Sequence, residues 1–174
     1  MKIIHTADLH LDSKLNALID DKAKERQVEL LQNFRKMSEY AAENGVSAIL
    51  IAGDMFDDRM CTKRTSTVIL SVINDYPGIH YYILKGNHDR DNFLDTLENK
   101  PDNLFSFSHP PTSSEEGNIS ITGVELDKDN VDLFYNTLNL DAARVNIVML
   151  HGQETETGSK DRAENINVRL IKNK

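Results

Sequence analysis

Short apolar runs alternate with helical patterns along the first half of the chain. Lys2–Thr6, Val46–Ala52 and Ile79–Leu84 are apolar enough to predict strands. Between them, Lys22–Asn44 and Thr65–Asn74 repeat apolar residues every three or four positions, which predicts helices. Strands that alternate with helices in this way are typical of an α/β protein.

The longer predicted helix has a continuous apolar face. Its members are Leu30, Phe34, Met37 and Ala41. Gly45 follows, and glycine commonly ends a helix because it adopts the left-handed backbone conformation without strain. We therefore expect the helix to stop at this point and the chain to turn into the second strand.

The pattern is weaker after Asp91. We predict strands at Phe105–Ser108 and Ile119–Val124 and a buried strand at Val145–Leu150. A polar loop is predicted at Pro110–Gly117. Helices are predicted at Asp132–Asn139 and Asp161–Lys172. No internal repeat or low-complexity linker divides the sequence. We therefore expect one domain over residues 1–174.

Composition limits the classes of function. The 174 residues carry a net charge of −8, which argues against a broad basic face that grips nucleic acid. Two bound divalent cations would add four positive charges at one place, so the charge does not exclude DNA. The single cysteine, Cys61, cannot form an internal disulfide, which favours the cytoplasm. No apolar run approaches the roughly 20 residues that cross a membrane.

Clusters rich in Asp, His, Asn and Gly follow four of the predicted strands. They are Asp8-Leu9-His10, Gly53-Asp54-Met55-Phe56-Asp57, Gly86-Asn87-His88-Asp89 and His151-Gly152. Ligands of α/β proteins bind beyond the carboxyl ends of the strands, where side chains from distant parts of the sequence can converge. The sequence therefore predicts one site at that edge of the sheet.

Carboxylates and imidazoles together suit divalent ions such as Mn²⁺, Fe²⁺ and Zn²⁺. Asp54 has two oxygens and can bridge two ions about 3.5–4 Å apart, the spacing of two-metal hydrolases. Asp8 and His10 can meet one ion only where the chain turns off its strand. Each motif alone is commonly a structural turn, but their order behind successive strands favours a metal site.

These motifs resemble those of the calcineurin-like metallophosphoesterase superfamily. Its pattern is Asp-x-His, Gly-Asp-x-x-Asp, Gly-Asn-His-Asp/Glu, a separate His, and Gly-His-x-His. The first four elements are present between residues 8 and 151, and Gly-His-x-His is absent. His5–Asp12 and Gly53–Asp57 are most similar to SbcD-like exonucleases of the double-strand-break repair nuclease family. The resemblance implies a layered α/β sandwich of β-sheets flanked by helices.

The resemblance also implies a set of metal ligands. Asp8 and His10 would bind the first metal, Asp54 would bridge, and Asn87 and His151 would bind the second. Two divalent ions are expected, with Mn²⁺ preferred and Fe, Zn or Mg as alternatives.

Four further residues have implied roles around these ligands. His88 would lie near the leaving group as a general acid or phosphate stabiliser, oriented by Asp89. Asp57 and Asp12 would fix ligands by hydrogen bonds. For these last two, capping of turns is an equally weighted alternative.

The function implied is a DNA-repair exonuclease or phosphodiesterase in which two metals activate a water. Its partners would be DNA and an SbcC-like coiled-coil ATPase, and nucleases of this type are often homodimers. A phosphomonoesterase or small-molecule phosphodiesterase is the alternative. Because Gly-His-x-His is absent, we expect either a chain that stops before its last strands or a shortened, non-catalytic interaction module.

Cys61 lies among Arg59, Lys63 and Arg64, whose charges could lower the pKa of its thiol. No Cys-His pattern accompanies it, so the sequence favours a bystander thiol over a nucleophile.

Overall fold

A computed structural model describes residues 1–15, 20–56, 61–86, 88–89, 94, 97–107, 111–127, 129–155 and 165–174. The chain forms two compact units, Met1–Ser106 and Phe107–Lys174. Both units combine strands with helices. The α/β class predicted from the sequence is therefore confirmed.

The first unit is built on a four-stranded parallel sheet. Its strands lie in the order β1 (Ile3–Thr6), β2 (Ala48–Ala52), β3 (His80–Leu84) and β4 (Leu104–Ser106). Helix α1 (Asp20–Glu43) lies between β1 and β2 in the chain, and helix α2 (Lys63–Asp75) lies between β2 and β3. Because all neighbouring strands are parallel, their carboxyl ends share one edge of the sheet.

Both helices pack into one core with the sheet. Phe34 and Ala41 of α1 are buried in it, as their place on the apolar face predicted, and Leu30 and Met37 pack against its margin. The strand residues buried in this core are Ile49, Ile51, Tyr81, Ile83 and Leu104. The alternate positions of β2 and β3, such as Leu50 and Leu84, are also buried, as is usual for parallel strands.

A buried asparagine organises the amino ends of the strands. The side-chain amide of Asn103 donates to the backbone carbonyls of Ile73, Tyr76 and Ile79 at 3.0, 3.1 and 2.9 Å. These carbonyls belong to the end of α2 and to the turn that leads into β3. Asn103 therefore holds the edge of the sheet opposite to the predicted site.

The second unit contains a mixed sheet, a short two-stranded ladder and two helices. In chain order these are β5 (Thr112–Glu116), β6 (Ile119–Gly123), α3 (Val131–Thr137), β7 (Val145–Met149), β8 (Gln153–Glu154), β9 (Asn165–Ile166) and α4 (Val168–Lys172). β5 and β6 pair antiparallel, and β6 and β7 pair parallel. Phe134 of α3 is buried in a small core, against which Val148 and Leu150 pack.

Three predictions for the second unit need correction. β5 replaces the predicted polar loop, because its five residues are all polar and only pairing with β6 reveals the strand. β7 was expected to be buried, yet only Met149 is, and Val145 is exposed. Of the predicted helix Asp161–Lys172, Asn165–Ile166 form β9 and α4 begins at Val168; residues 161–164 lie outside the described residues.

Among the described residues, no helix has the length and apolar character needed to cross a membrane.

Candidate metal centre

The predicted site is built from three loops at the carboxyl ends of β1, β2 and β3. We call residues 7–13 the first loop, residues 53–56 the second loop, and residues 85–86 with 88–89 the third loop. Asp8, His10 and Leu11 donate their backbone N–H groups to the carbonyls of residues 53, 54 and 55 at 3.1, 3.1 and 2.8 Å. The first two loops therefore run side by side beyond the sheet.

This pairing brings Asp8, His10 and Asp54 together. Each offers one ligand atom, and these atoms all lie within 4.8 Å of one another. Ligands on opposite sides of a divalent ion are about 4 Å apart, because each lies about 2.0–2.2 Å from it. Two carboxylates and an imidazole at this separation fit a divalent metal such as Mn, Fe or Zn. The structure thus brings three of the predicted ligands together, and their role in binding a metal stays a prediction.

All three residues have a left-handed backbone, with φ of 53° at Asp8, 45° at His10 and 51° at Asp54. This conformation costs a residue with a side chain about 1–2 kcal/mol, although Asp and His adopt it more readily than most. It turns the chain away from the strand direction, which lets Asp8 and His10 approach one point although they are two positions apart. Backbone strain of this kind is characteristic of functional sites.

Asp89 joins the third loop to the second. Its carboxylate, only 1% exposed, accepts hydrogen bonds from the backbone N–H groups of Met55, Phe56 and Gly86 at 3.0, 2.7 and 3.0 Å. Burial raises the pKa of this carboxyl group, the three amide hydrogen bonds act to lower it, and the charge of Asp54 adds to the increase. The sequence indicated an orienting role toward His88 and gave no signal of these amide contacts.

His88 lies beside the three candidate ligands. Its backbone N–H donates to Oδ1 of Asp54 at 3.1 Å. Its ring is edge-on to the ring of His10, with centroids 5.7 Å apart. The side chain is exposed, so it can reach a substrate at the site. Its role as a general acid stays a prediction.

Gly86 is required by the close approach of Asp54. A Cβ added at this position would lie 2.0 Å from Oδ1 and 2.6 Å from the backbone nitrogen of Asp54. No real contact is that short, so any other residue would displace either the second loop or the third. The glycine seen in the motif therefore has a steric cause.

Asp12 contacts the start of α2. Its Oδ2 accepts a hydrogen bond from the backbone N–H of Thr62 at 2.7 Å, and Thr62 is itself the N-cap of the helix, accepting from the N–H of Thr65. This contact supports the capping role that the sequence left open. It also fixes the first loop against α2.

For the three remaining predicted residues, a role at this site stays a prediction. Asn87 and Asp57 lie outside the described residues. His151 follows β7 in the second unit, where it is half-buried. Its role as a ligand, like that of Asn87, stays a prediction.

The pKa of Cys61 is shifted upward and not downward, which agrees with the bystander thiol that the sequence favoured. Burial raises the pKa of this thiol to about 12, and the charge of Asp12 adds to the increase. A thiol with this pKa is neutral near pH 7, so Cys61 is not an activated nucleophile. The sequence could not show this, because Asp12 is remote from Cys61 along the chain.

Comparison with known proteins identifies the class. The family model of the calcineurin-like phosphoesterases matches residues 1–173. The chain therefore belongs to the calcineurin-like phosphoesterase family, whose members hydrolyse phosphoesters with divalent metals. A comparison with curated proteins gives no match.

We expect Gly86→Ala to weaken metal binding, because the added methyl group must displace Asp54. The affinity for Mn²⁺ in calorimetric titration should fall by about tenfold or more, and overpacking should lower the free energy of unfolding by roughly 1–3 kcal/mol. Gly78→Ala is the matched control, since nothing lies within 4 Å of its added Cβ. Equal Mn²⁺ affinity in both variants would contradict the steric role of Gly86.

Proposed function

We propose that the protein is a nuclease that hydrolyses phosphodiester bonds at DNA ends with two divalent ions, Mn²⁺ first among them. The observation that carries the hydrolytic part is the convergence of Asp8, His10 and Asp54. The choice of DNA rests on the similarity of His5–Asp12 and Gly53–Asp57 to SbcD-like repair exonucleases. A coiled-coil ATPase as partner, a homodimer and a cytoplasmic location belong to the same proposal.

Phosphoesters hydrolyse very slowly without a catalyst, because anionic oxygens shield the phosphorus. Divalent ions bound by Asp8, His10 and Asp54, with Asn87 and His151 as further ligands, would neutralise these oxygens and lower the pKa of a bound water toward neutrality. His88 would donate a proton to the ester oxygen as the P–O bond breaks, while the attacking water would give up a proton to solvent and its oxygen would form the new bond to phosphorus. The exposed position of His88 beside His10 supports this assignment.

Basic residues near the first loop support a polyanionic substrate. Lys14 directly follows this loop, and Lys63 and Arg64 form the first turn of α2, which Asp12 holds against it. All three side chains are exposed. They could contact the phosphates of a DNA strand that enters the site.

A phosphomonoesterase or small-molecule phosphodiesterase is the second candidate. The net charge of −8 favours it, because proteins that contact many phosphates usually carry an excess of Lys and Arg. Both candidate functions would use the same metal ligands and would differ only in the residues around the metal site that contact the substrate.

Hydrolysis assays with Mn²⁺ separate the two candidates. We expect end-labelled linear double-stranded DNA to be degraded with release of nucleotides, and a chelator to stop the reaction. p-Nitrophenyl phosphate and bis-p-nitrophenyl phosphate should be hydrolysed far more slowly. Turnover of the chromogenic esters without any degradation of DNA would refute the nuclease and support the small-molecule enzyme.

Asp54→Asn should remove at least one metal ion per chain, because it takes a negative charge from the proposed bridging ligand. Elemental analysis after loading with Mn²⁺ and desalting measures this directly. Asp75→Asn is the matched control, since it makes the same change at an exposed position at the end of α2. Equal metal content in Asp54→Asn and the wild type would show that Asp54 is not a ligand.

His88→Ala should bind Mn²⁺ as the wild type does but turn over substrate about 10²–10⁴-fold more slowly, as expected for loss of a general acid. The replacement removes only the imidazole, so the backbone N–H that donates to Asp54 is retained. Both kcat and Mn²⁺ affinity should be measured. Undiminished hydrolysis would exclude His88 from proton transfer.

A further inference from the structure

We propose that Asp89 is a positioning residue that fixes Asp54 in its metal-binding geometry, acting through backbone amides and not through His88. This inference rests on the proposed metal site. It assigns to Asp89 a contribution to metal affinity itself, whereas a residue that only orients His88 would affect proton transfer alone.

Asp89 holds the backbone that directly follows Asp54 in the chain. The two residues that follow Asp54, Met55 and Phe56, both donate their backbone N–H groups to the Asp89 carboxylate. The same Oδ2 atom that accepts from Met55 also accepts from Gly86. One oxygen therefore holds the second and third loops at a fixed separation.

The side chain of Asp54 also contacts the third loop. Its Oδ1 accepts a hydrogen bond from the backbone N–H of His88 and lies 2.0 Å from the position that a Cβ of Gly86 would occupy. The carboxylate of Asp54 is thus seated on the third loop, and Asp89 fixes that loop to the backbone that carries Asp54. A shift between the two loops would move the ligand oxygen.

The backbone of Asp54 needs such support. Its left-handed φ of 51° is unfavourable for a residue with a side chain and persists only where the surroundings enforce it. The amides of the next two residues point to Asp89 in this conformation. Their charge-assisted hydrogen bonds are stronger than neutral ones, so they can hold the strained backbone in place.

Only a carboxylate satisfies the three donors. Asp89→Asn keeps the size of the side chain but replaces one oxygen by an NH₂ group, which donates and cannot accept. If the NH₂ group took the place of Oδ2, it would face the backbone N–H groups of both Met55 and Gly86, so that donors would lie opposite donors. In either orientation the NH₂ group faces at least one backbone N–H of the second loop, that of Met55 or Phe56, so the variant should loosen this loop while leaving the imidazole of His88 unchanged.

The test compares Asp89→Asn with Asn103→Ala. Each residue is buried and hydrogen-bonds to three backbone groups of the first unit, Asp89 as acceptor and Asn103 as donor, but Asn103 lies at the opposite edge of the sheet. Mn²⁺ is titrated calorimetrically into the metal-free proteins, melting temperatures are recorded without metal, and the visible spectrum of bound Co²⁺ reports the coordination geometry.

We expect both variants to melt at lower temperature. Asp89→Asn should bind Mn²⁺ about 10–100-fold more weakly and change the Co²⁺ spectrum, as found when residues that orient metal ligands are replaced. Asn103→Ala should keep the affinity and spectrum of the wild type. If Asp89→Asn does not fold, Asp89→Glu, which moves the carboxylate by one methylene, should show a loss of affinity in the same direction.

Unchanged Mn²⁺ affinity and Co²⁺ spectrum in the Asp89 variant, with a wild type that binds metal, would overturn the inference. Equal losses of affinity in the Asp89 and Asn103 variants would also overturn it, since the effect would then follow general stability. A wild type that binds no Mn²⁺ would instead refute the proposed metal-dependent function on which the inference rests.

Discussion

Hydrogen bonds between backbone loops beyond the edge of the sheet hold the candidate site together. The first loop pairs with the second through three consecutive contacts, and the second pairs with the third through the carboxylate of Asp89. The parallel order of β1, β2 and β3 makes these loops neighbours, but the sheet alone would leave their side chains pointing in separate directions. The loop contacts bring the candidate ligands of the first two loops together and fix the third loop beside them.

This arrangement is electrostatically unfavourable without a cation. Asp54 and Asp89 are both buried, Asp8 lies close to Asp54, and the charge of Asp54 contributes to the raised pKa of Asp89. Backbone amides compensate part of this repulsion, and the left-handed backbone at Asp8, His10 and Asp54 adds strain. A divalent ion would offset both costs, which is a physical reason for a metal at this place. Strain and repulsion thus reduce stability at the candidate metal site.

The rest of the first unit provides a rigid support for the strained loops. Both helices pack with β2 and β3 into a core that contains Phe34, Ile51 and Tyr81, and Asn103 closes the far edge of the sheet. Asp12 extends this support to the site, because it ties the first loop to the N-cap of α2. Cys61 lies next to that N-cap, where burial is the main cause of its raised pKa and the charge of Asp12 adds to it.

The sequence alone determined the elements with strong apolar periodicity, α1, α2, β2 and β3, and the residue types that follow the strands, because both depend on local spacing. It could not reveal β5, whose polar residues carry no periodicity, or β9, whose pairing with β8 depends on a distant partner. The approach of Asp8, His10 and Asp54 to one another was predictable from the polar motifs that follow successive predicted strands. The amide contacts of Asp89, the steric need for Gly86 and the raised pKa of Cys61 were decided only by the tertiary structure, since each depends on atoms far apart along the chain.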